Sequence, residues 1–223
     1  MQQEDPSTEL PADVRRFFRD RARGRGKRER THALILDAVV DAVYQHGFQG
    51  VAVRDVIDIA GISHGTFYNH FSTRDSAILE AASTVAVVLD GAVRQRIGVA
   101  DGADQELIAG VLVFMRLASQ RPPWGRLLVE TMGPLEGLSH PSSKSFRQVL
   151  ARAGSEGHFK APITPLLAQQ IGALIGLGVT LKMGDKPPKG VMEETGTAIL
   201  RLLGLERDAA KRLVGKVAAK LSH

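Results

Sequence analysis

The 223-residue chain contains no cysteine. That absence excludes a disulfide framework and a thiolate metal site, and it accords with a cytoplasmic protein. Aromatic residues make up only 5% of the chain, and the alternation that marks strands is rare, so nothing argues for a β-sheet. The longest largely apolar run, Ile171 to Leu181, is about half the ~20 residues that a bilayer span needs. It reads as a buried helix, and no membrane partner is expected. An acidic start followed by a basic run leaves no apolar signal core at the N-terminus, so export is not expected either. Also missing are histidines at metal-ligand spacing, a nucleophile elbow and a phosphate-binding loop. Gly24-Arg25-Gly26 follows no strand and is no nucleotide loop. Neither catalysis nor a bound metal or cofactor is therefore expected.

What is present begins with charge. Apolar content of 43% and charged content of 24% are ordinary for a soluble protein, and the net charge of +5 conceals an uneven distribution. Residues 1–14 are net −4, residues 15–30 net +7 and residues 31–75 net −3. The cations of the second segment include Arg23, Arg25, Lys27 and Arg28. An arginine-rich arm of this kind suits phosphate or minor-groove contact; a solvated tail is the competing reading.

Most of the chain shows helical spacing, and the expected class is all-α. Val14, Phe17 and Phe18 fall at i, i+3 and i+4 after Pro11, which predicts a short helix inside the arm. Residues 1–30 as a whole read as a basic arm, flexible or partly helical. The first secure helix runs from about Arg30 to His46, with Ile35, Ala38, Val39, Ala42 and Val43 as its buried stripe and Gly47 at its end. A short helix follows over about Val53 to Ala60. Gly61 supplies a turn, and Ser63 caps a third helix that ends near His70. A long fourth helix starts at Arg74 or Asp75 and runs to Ile97. Beyond it, six helices are expected at about 103–120, 123–132, 142–154, 164–183, 190–203 and 206–220, set off by prolines and glycines.

Two short helices about Gly61-Ile62-Ser63 have the spacing of a helix-turn-helix, in which one helix braces another against the major groove. The leading edge of the second helix is Ser63, His64, Gly65 and Thr66. Gly65 offers no side chain to block approach to DNA, while Thr66 carries a hydroxyl for phosphate and a methyl for thymine. Tyr68 and His70 can donate to phosphate oxygens, and Asn69 can read adenine or touch the backbone. Arg54 on the bracing helix and Arg74 at the start of the fourth are further phosphate candidates. Arg54 could instead pair with Asp58 at i+4, and Tyr68 and His70 could be packing residues. Val56, Ile62, Phe67 and Phe71 are the expected apolar anchors.

The run from Arg54-Asp55-Val56 through Ala60-Gly61-Ile62-Ser63-His64-Gly65-Thr66-Phe67-Tyr68-Asn69-His70-Phe71 to Arg74-Asp75 resembles the signature of the TetR family of transcriptional regulators. Ile35-Leu36-Asp37-Ala38 and Tyr44-Gln45-His46-Gly47-Phe48 resemble the first helix of that family and its closing Gly-Phe. Two positions depart from the pattern. Ala52 stands where the family has a Ser or Thr cap on the bracing helix, a loss of about 1 kcal/mol. The recognition helix also lacks the Lys or Arg frequent in relatives. Both departures shift phosphate binding onto the arm.

The resemblance implies a three-helix DNA-binding unit at 31–75 and, at 76–223, a helical bundle that binds a small-molecule effector and forms a homodimer. The residues lend partial support. The segment at about 164–183 is apolar nearly all round, which fits a helix placed between a core and a partner subunit. Candidate pocket residues in the middle helices are Phe114, Met115, Trp124, Leu128, Met132, Phe146, His158 and Phe159, with core packing as the competing reading. No cluster of one charge marks a charged ligand, so an apolar effector is the default. The expected function is sequence-specific binding of double-stranded DNA at a palindromic operator, with transcription repressed until an effector releases the protein. Two alternatives stay open: a non-specific architectural DNA binder that uses the arm, and a ligand-binding or interaction protein with a degenerate helix-turn-helix.

Overall fold

A computed structural model describes residues 14–97, 101–132 and 144–221; Pro11, Pro134 and Pro141 lie outside them. All regular structure among the described residues is helical. A 3-10 turn at Val14–Arg16 leads into α1 (Phe17–Arg21). An N-terminal three-helix unit comprises α2 (Lys27–Gly50), α3 (Val53–Ala60) and α4 (His64–Tyr68), and α5 (Arg74–Ile97) joins it to the bundle.

The buried face of α2 includes Ile35, Ala38, Val39, Ala42 and Val43. It begins three residues before the expected Arg30. At its far end Gly47 leaves helical geometry, with φ 75° and ψ 162°, a conformation that a side chain would strain. The kink turns Phe48 and Val51 back into the core. Gly61 closes α3 in the left-handed region, and the chain re-enters a helix at Ser63.

Small residues alternate with larger ones on the buried side of α5: Ala77, Ile78, Ala81, Val85, Leu89, Ala92 and Val93. It packs on α2 at one end and in the bundle on α6 (Ala103–Ser119) and α7 (Pro122–Met132). Around α6 lie α8 (Lys144–Ser155), α9 (Pro165–Met183), α10 (Val191–Leu202) and α11 (Arg207–Lys220). Helix α7 also packs against α2, so the three-helix unit and the bundle share a continuous apolar core.

By length and composition alone, α5 and α9 could each cross a membrane. The buried side of α5 is spent inside the fold. Helix α9 buries Leu167, Ile171, Ile175 and Val179, and Gly178 lets it approach Met115 and Thr195 closely. Its other side is bare: Leu166 (68% exposed), Gln170, Ala173, Leu177 (55%) and Leu181 (40%) form one stripe at helical spacing. The all-round apolar character therefore divides into a buried face and a solvent-facing one.

Candidate nucleic-acid interface and effector cavity

The hydroxyl of Ser63 accepts a hydrogen bond from the Thr66 amide at 3.1 Å and lies 2.9 Å from the Thr66 hydroxyl. That satisfies an amide at the start of α4 that the helix cannot. Phe67 is fully buried, and Phe71 and Val56 lie in the same core, while Ile62 is half-buried against it. These anchors leave the other side of α4 to solvent. His64, Gly65, Tyr68 and Asn69 are exposed, and the His64 and Tyr68 rings lie nearly parallel with centroids 6.5 Å apart. A short helix thus presents small and hydrogen-bonding groups on a rigid base, as insertion into a major groove requires.

At the start of α3, Ala52 has no side chain to cap the helix. Asp55 compensates in part, its carboxylate accepting from the Ala52 amide at 2.7 Å. Arg54 is exposed and reaches Asp58 at 3.6 Å, the local pairing anticipated for it; a surface pair of this kind is weak and leaves the guanidinium accessible. Arg74 is more committed. It donates to the Val51 carbonyl at 2.8 Å, contacts the Asp75 carboxylate at 2.7 Å and lies over the Phe48 ring. It ties the end of α2 to the start of α5, so phosphate contact would be a second task.

His70, just after α4, is half-buried with its ring 5.6 Å from that of His32 on α2. Desolvation, with added repulsion from His32 and Arg28, pushes its pKa below the ordinary 6.5. His32 stacks on Phe71 and lies 2.6 Å from Glu80 of α5. Arg28 thus stands beside the C-terminal end of the recognition helix.

The arm is only partly free. Phe17 and Phe18 are buried, and the Arg21 guanidinium lies over the Phe17 ring. Asp37, 1% exposed, accepts from the amides of Phe18 at 3.0 Å and Arg19 at 3.1 Å, and from the Arg19 guanidinium at 2.8 Å. Burial pushes its carboxyl above the usual range, against the opposing effect of those bonds. Residues 14–22 are therefore latched to α2. Arg23, Arg25, Lys27 and Arg28 remain exposed, with Arg23 and Arg25 near Asp20 and Glu29.

Between α5, α6, α8 and α9 lies a cavity of about 290 Å³. Its walls are mainly apolar, with Val93, Ile97, Leu107, Phe114, Phe146 and Val149 among them. Polar groups collect in two places. At one, Ser145 donates to Asp90 at 2.9 Å and accepts from Arg94 at 2.9 Å, with Arg94 and Asp90 3.1 Å apart. At the other, Arg152 pairs with Glu106. A second cavity of about 340 Å³ lies toward α7 and the bare side of α9, lined in part by Leu128, Val129, Gln169 and Leu177.

Three of the eight residues proposed for the pocket line these spaces: Phe114 both, Phe146 the first and Leu128 the second. Met115 and Trp124 are core. Trp124 meets Phe17 edge-on at 5.0 Å, joining α7 to α1 instead of facing either cavity. Phe159 is buried in the core, and the exposed His158 contacts Glu156 at 3.1 Å. Met132 ends α7, and its side chain lies outside the described residues. Asp90, Arg94, Glu106 and Arg152 were not anticipated. On an isolated helix, charged residues at these spacings read as a solvated face, and only the packing of α5, α6 and α8 brings them to one cavity.

The two units also meet through polar contacts that sequence patterns do not reveal. Arg126 on α7 donates to the Tyr44 carbonyl and to Glu130, both at 2.6 Å, and Glu130 accepts from the Phe48 amide. This clasp closes on the Gly47 kink, where an added Cβ would lie 3.0 Å from Arg126 and 3.2 Å from Glu130.

A capped short helix on a three-helix unit, continuous with a cavity-bearing bundle, is an arrangement of helix-turn-helix type. Residues 35–82 match the model for bacterial regulatory proteins of the tetR family. Similar solved structures extend the fold agreement beyond the domain. RolR in complex with the ligand resorcinol aligns with a TM-score of 0.65 at 18% identity, over 85% of this chain and 95% of that one. A TetR family transcription regulator from Shewanella sp. PV-4 gives 0.68 at 12%, over 79% and 99%. A gamma-butyrolactone receptor, described as ArpA-like, gives 0.58 at 20%, over 88% and 98%. No curated protein sequence matches the chain.

Proposed function

We propose that the protein is a homodimeric repressor that binds a palindromic operator through α4 and leaves it when a small molecule fills the cavity of the bundle. The exposed edge of α4, with His64, Gly65, Tyr68 and Asn69 held out by a capped and apolar-anchored helix, carries the DNA-binding part. The bare stripe of Leu166, Leu177 and Leu181 is the proposed dimer face, since large apolar side chains at that spacing suit a partner helix. A symmetric dimer would place its recognition helices about one helical turn apart, roughly 34–36 Å.

Helix α5 supports the effector part. Its first turn is tied to the DNA-binding unit by Arg74, and its last turns wall the cavity through Asp90, Val93, Arg94 and Ile97. An occupant that favours one position of α5 over another would alter the separation of the recognition helices. The clasp of Arg126 and Glu130 on α2 is a second route between the same parts. The resorcinol bound by RolR and the ligand class named for the gamma-butyrolactone receptor make a small organic effector a reasonable parallel.

Footprinting across salt concentrations tests the DNA-binding reading. A discrete two-fold symmetric footprint that persists at physiological salt is expected. Diffuse protection that collapses steeply with salt would favour an architectural protein, and no protection would mean a degenerate helix-turn-helix.

A further inference from the structure

The charge balance of the first cavity points to the chemistry of its occupant. Among the described residues its ionic groups are two carboxylates and two guanidiniums, all of them paired: Asp90 with Arg94 and Ser145, Glu106 with Arg152. Asp90 and Glu106 are the better covered members, with side chains 24% and 32% exposed against 61% for Arg94 and 49% for Arg152. An anionic ligand meets no unpaired cation among the described lining residues and would sit beside the better covered carboxylates, while a cationic ligand would have to share a carboxylate with its arginine. Either arrangement sets like charges side by side, which is unfavourable. A hydroxyl or carbonyl group meets no such obstacle. A hydroxyl can donate to Ser145 or to carboxylate lone pairs still open, and a carbonyl can accept from guanidinium N–H groups that the pairs leave unused, without breaking either pair.

The length of the occupant has a physical limit as well. Phe114, Gly172 and Ile175 line both cavities and so form the partition between them. Gly172 contributes no side chain, and Ile175 is buried against the core, which leaves the half-buried Phe114 ring as the bulk of the barrier.

We infer that the first cavity takes an uncharged, mainly apolar molecule whose hydroxyl or carbonyl groups meet the Asp90–Ser145–Arg94 and Glu106–Arg152 pairs, and that Phe114 sets how long that molecule can be. The inference rests on the reading of this cavity as the effector site, and it adds the ligand's charge state and a specificity-determining residue.

Calorimetric titration of the full chain with 4-alkylphenols, from ethyl to octyl, and with the matching 4-alkylbenzoates tests both parts. The phenols should bind roughly tenfold or more tightly than the benzoates of equal chain length. Phe114→Ala should move the preferred chain to one longer by about two carbons or more, because it opens the second cavity to apolar burial. Phe114→Leu should move it by less, and it carries the test if thermal melting shows that the alanine variant does not fold. Benzoates that bind as well as phenols, or no binding of either series, would overturn the charge argument. An unchanged chain preference in a folded variant would overturn the role of Phe114. Operator release, followed on the same samples, separates this inference from the regulatory reading: the expected binding pattern without release contradicts regulation and leaves the cavity chemistry standing.

Discussion

The two ends of α5 handle polar groups in opposite ways. At the recognition end, His64, Tyr68 and Asn69 stand in solvent, and the exposed cations of the arm have only weak surface pairs nearby. At the cavity end, Asp90 pairs with Arg94 and Glu106 with Arg152. A surface intended for a polyanion gains by leaving donors accessible, because its partner brings the compensating charge. A cavity intended for a neutral molecule gains by cancelling its charges in advance, because its ligand brings none. The same helix thus connects a site that depends on salt with one that should be nearly indifferent to it.

Substitutions can break this contrast at graded cost. The largest stability effect is expected from Phe67→Ala, which empties a fully buried position beneath the recognition helix; denaturant unfolding should show a loss of about 3–5 kcal/mol. Tyr68→Ala should do the reverse, weakening operator affinity by about 1–3 kcal/mol while leaving the melting temperature nearly unchanged, since the ring is 54% exposed. Titration of a labelled operator beside a thermal melt would show both quantities.

Gly47→Ala strikes the junction between the two ends. The new Cβ would sit at φ 75° and press on Arg126 and Glu130, so a loss of about 1–3 kcal/mol is expected. Chemical denaturation measures it, and a neutral result would show that the clasp yields easily. The smallest effect concerns His70. Its folded-state pKa lies below 6.5, for reasons of burial first and of His32 and Arg28 second. The unfolded chain therefore takes up this proton first, and stability should fall as pH drops from about 6.5 towards the folded-state value, levelling off below it. His32, with Glu80 beside it, also faces this group and should be held constant. His70→Asn should flatten that part of the stability–pH curve, and an unchanged slope would assign it to another residue.

The recognition unit was largely legible because its signals are local. Gly61 and Ser63 lie next to the turn and cap they make, and the spacing of Phe67 and Phe71 marks the buried side of a helix too short to stand alone. The bundle helices begin and end within a few residues of expectation because proline and glycine punctuate them. Two helix ends in the first unit differ from expectation: α2 extends back to Lys27, and α4 ends at Tyr68 instead of near His70. What could not be read depends on distant partners. Val14, Phe17 and Phe18 announce a helix, but nothing in the arm says that its amides will close on Asp37, 18 and 19 residues away. Trp124 has the character of a pocket residue by type alone and became a wedge against Phe17. The cavity's charged residues were hidden for the converse reason, since ordinary surface charge and a prepaired rim look alike on a single helix.

The central claim is that reading and holding DNA are separate tasks, with α4 selecting the sequence and the arm supplying the attraction. Selection of random DNA fragments by the purified protein, and by a variant in which Arg23, Arg25, Lys27 and Arg28 are replaced by glutamine, tests it most directly. Both proteins should enrich the same palindrome, with half-sites about one helical turn apart, and the variant should bind it more weakly, with a salt dependence shallower by up to about 3–4 phosphate contacts. A variant that selects a different sequence, or a wild-type protein that selects none, would contradict the account.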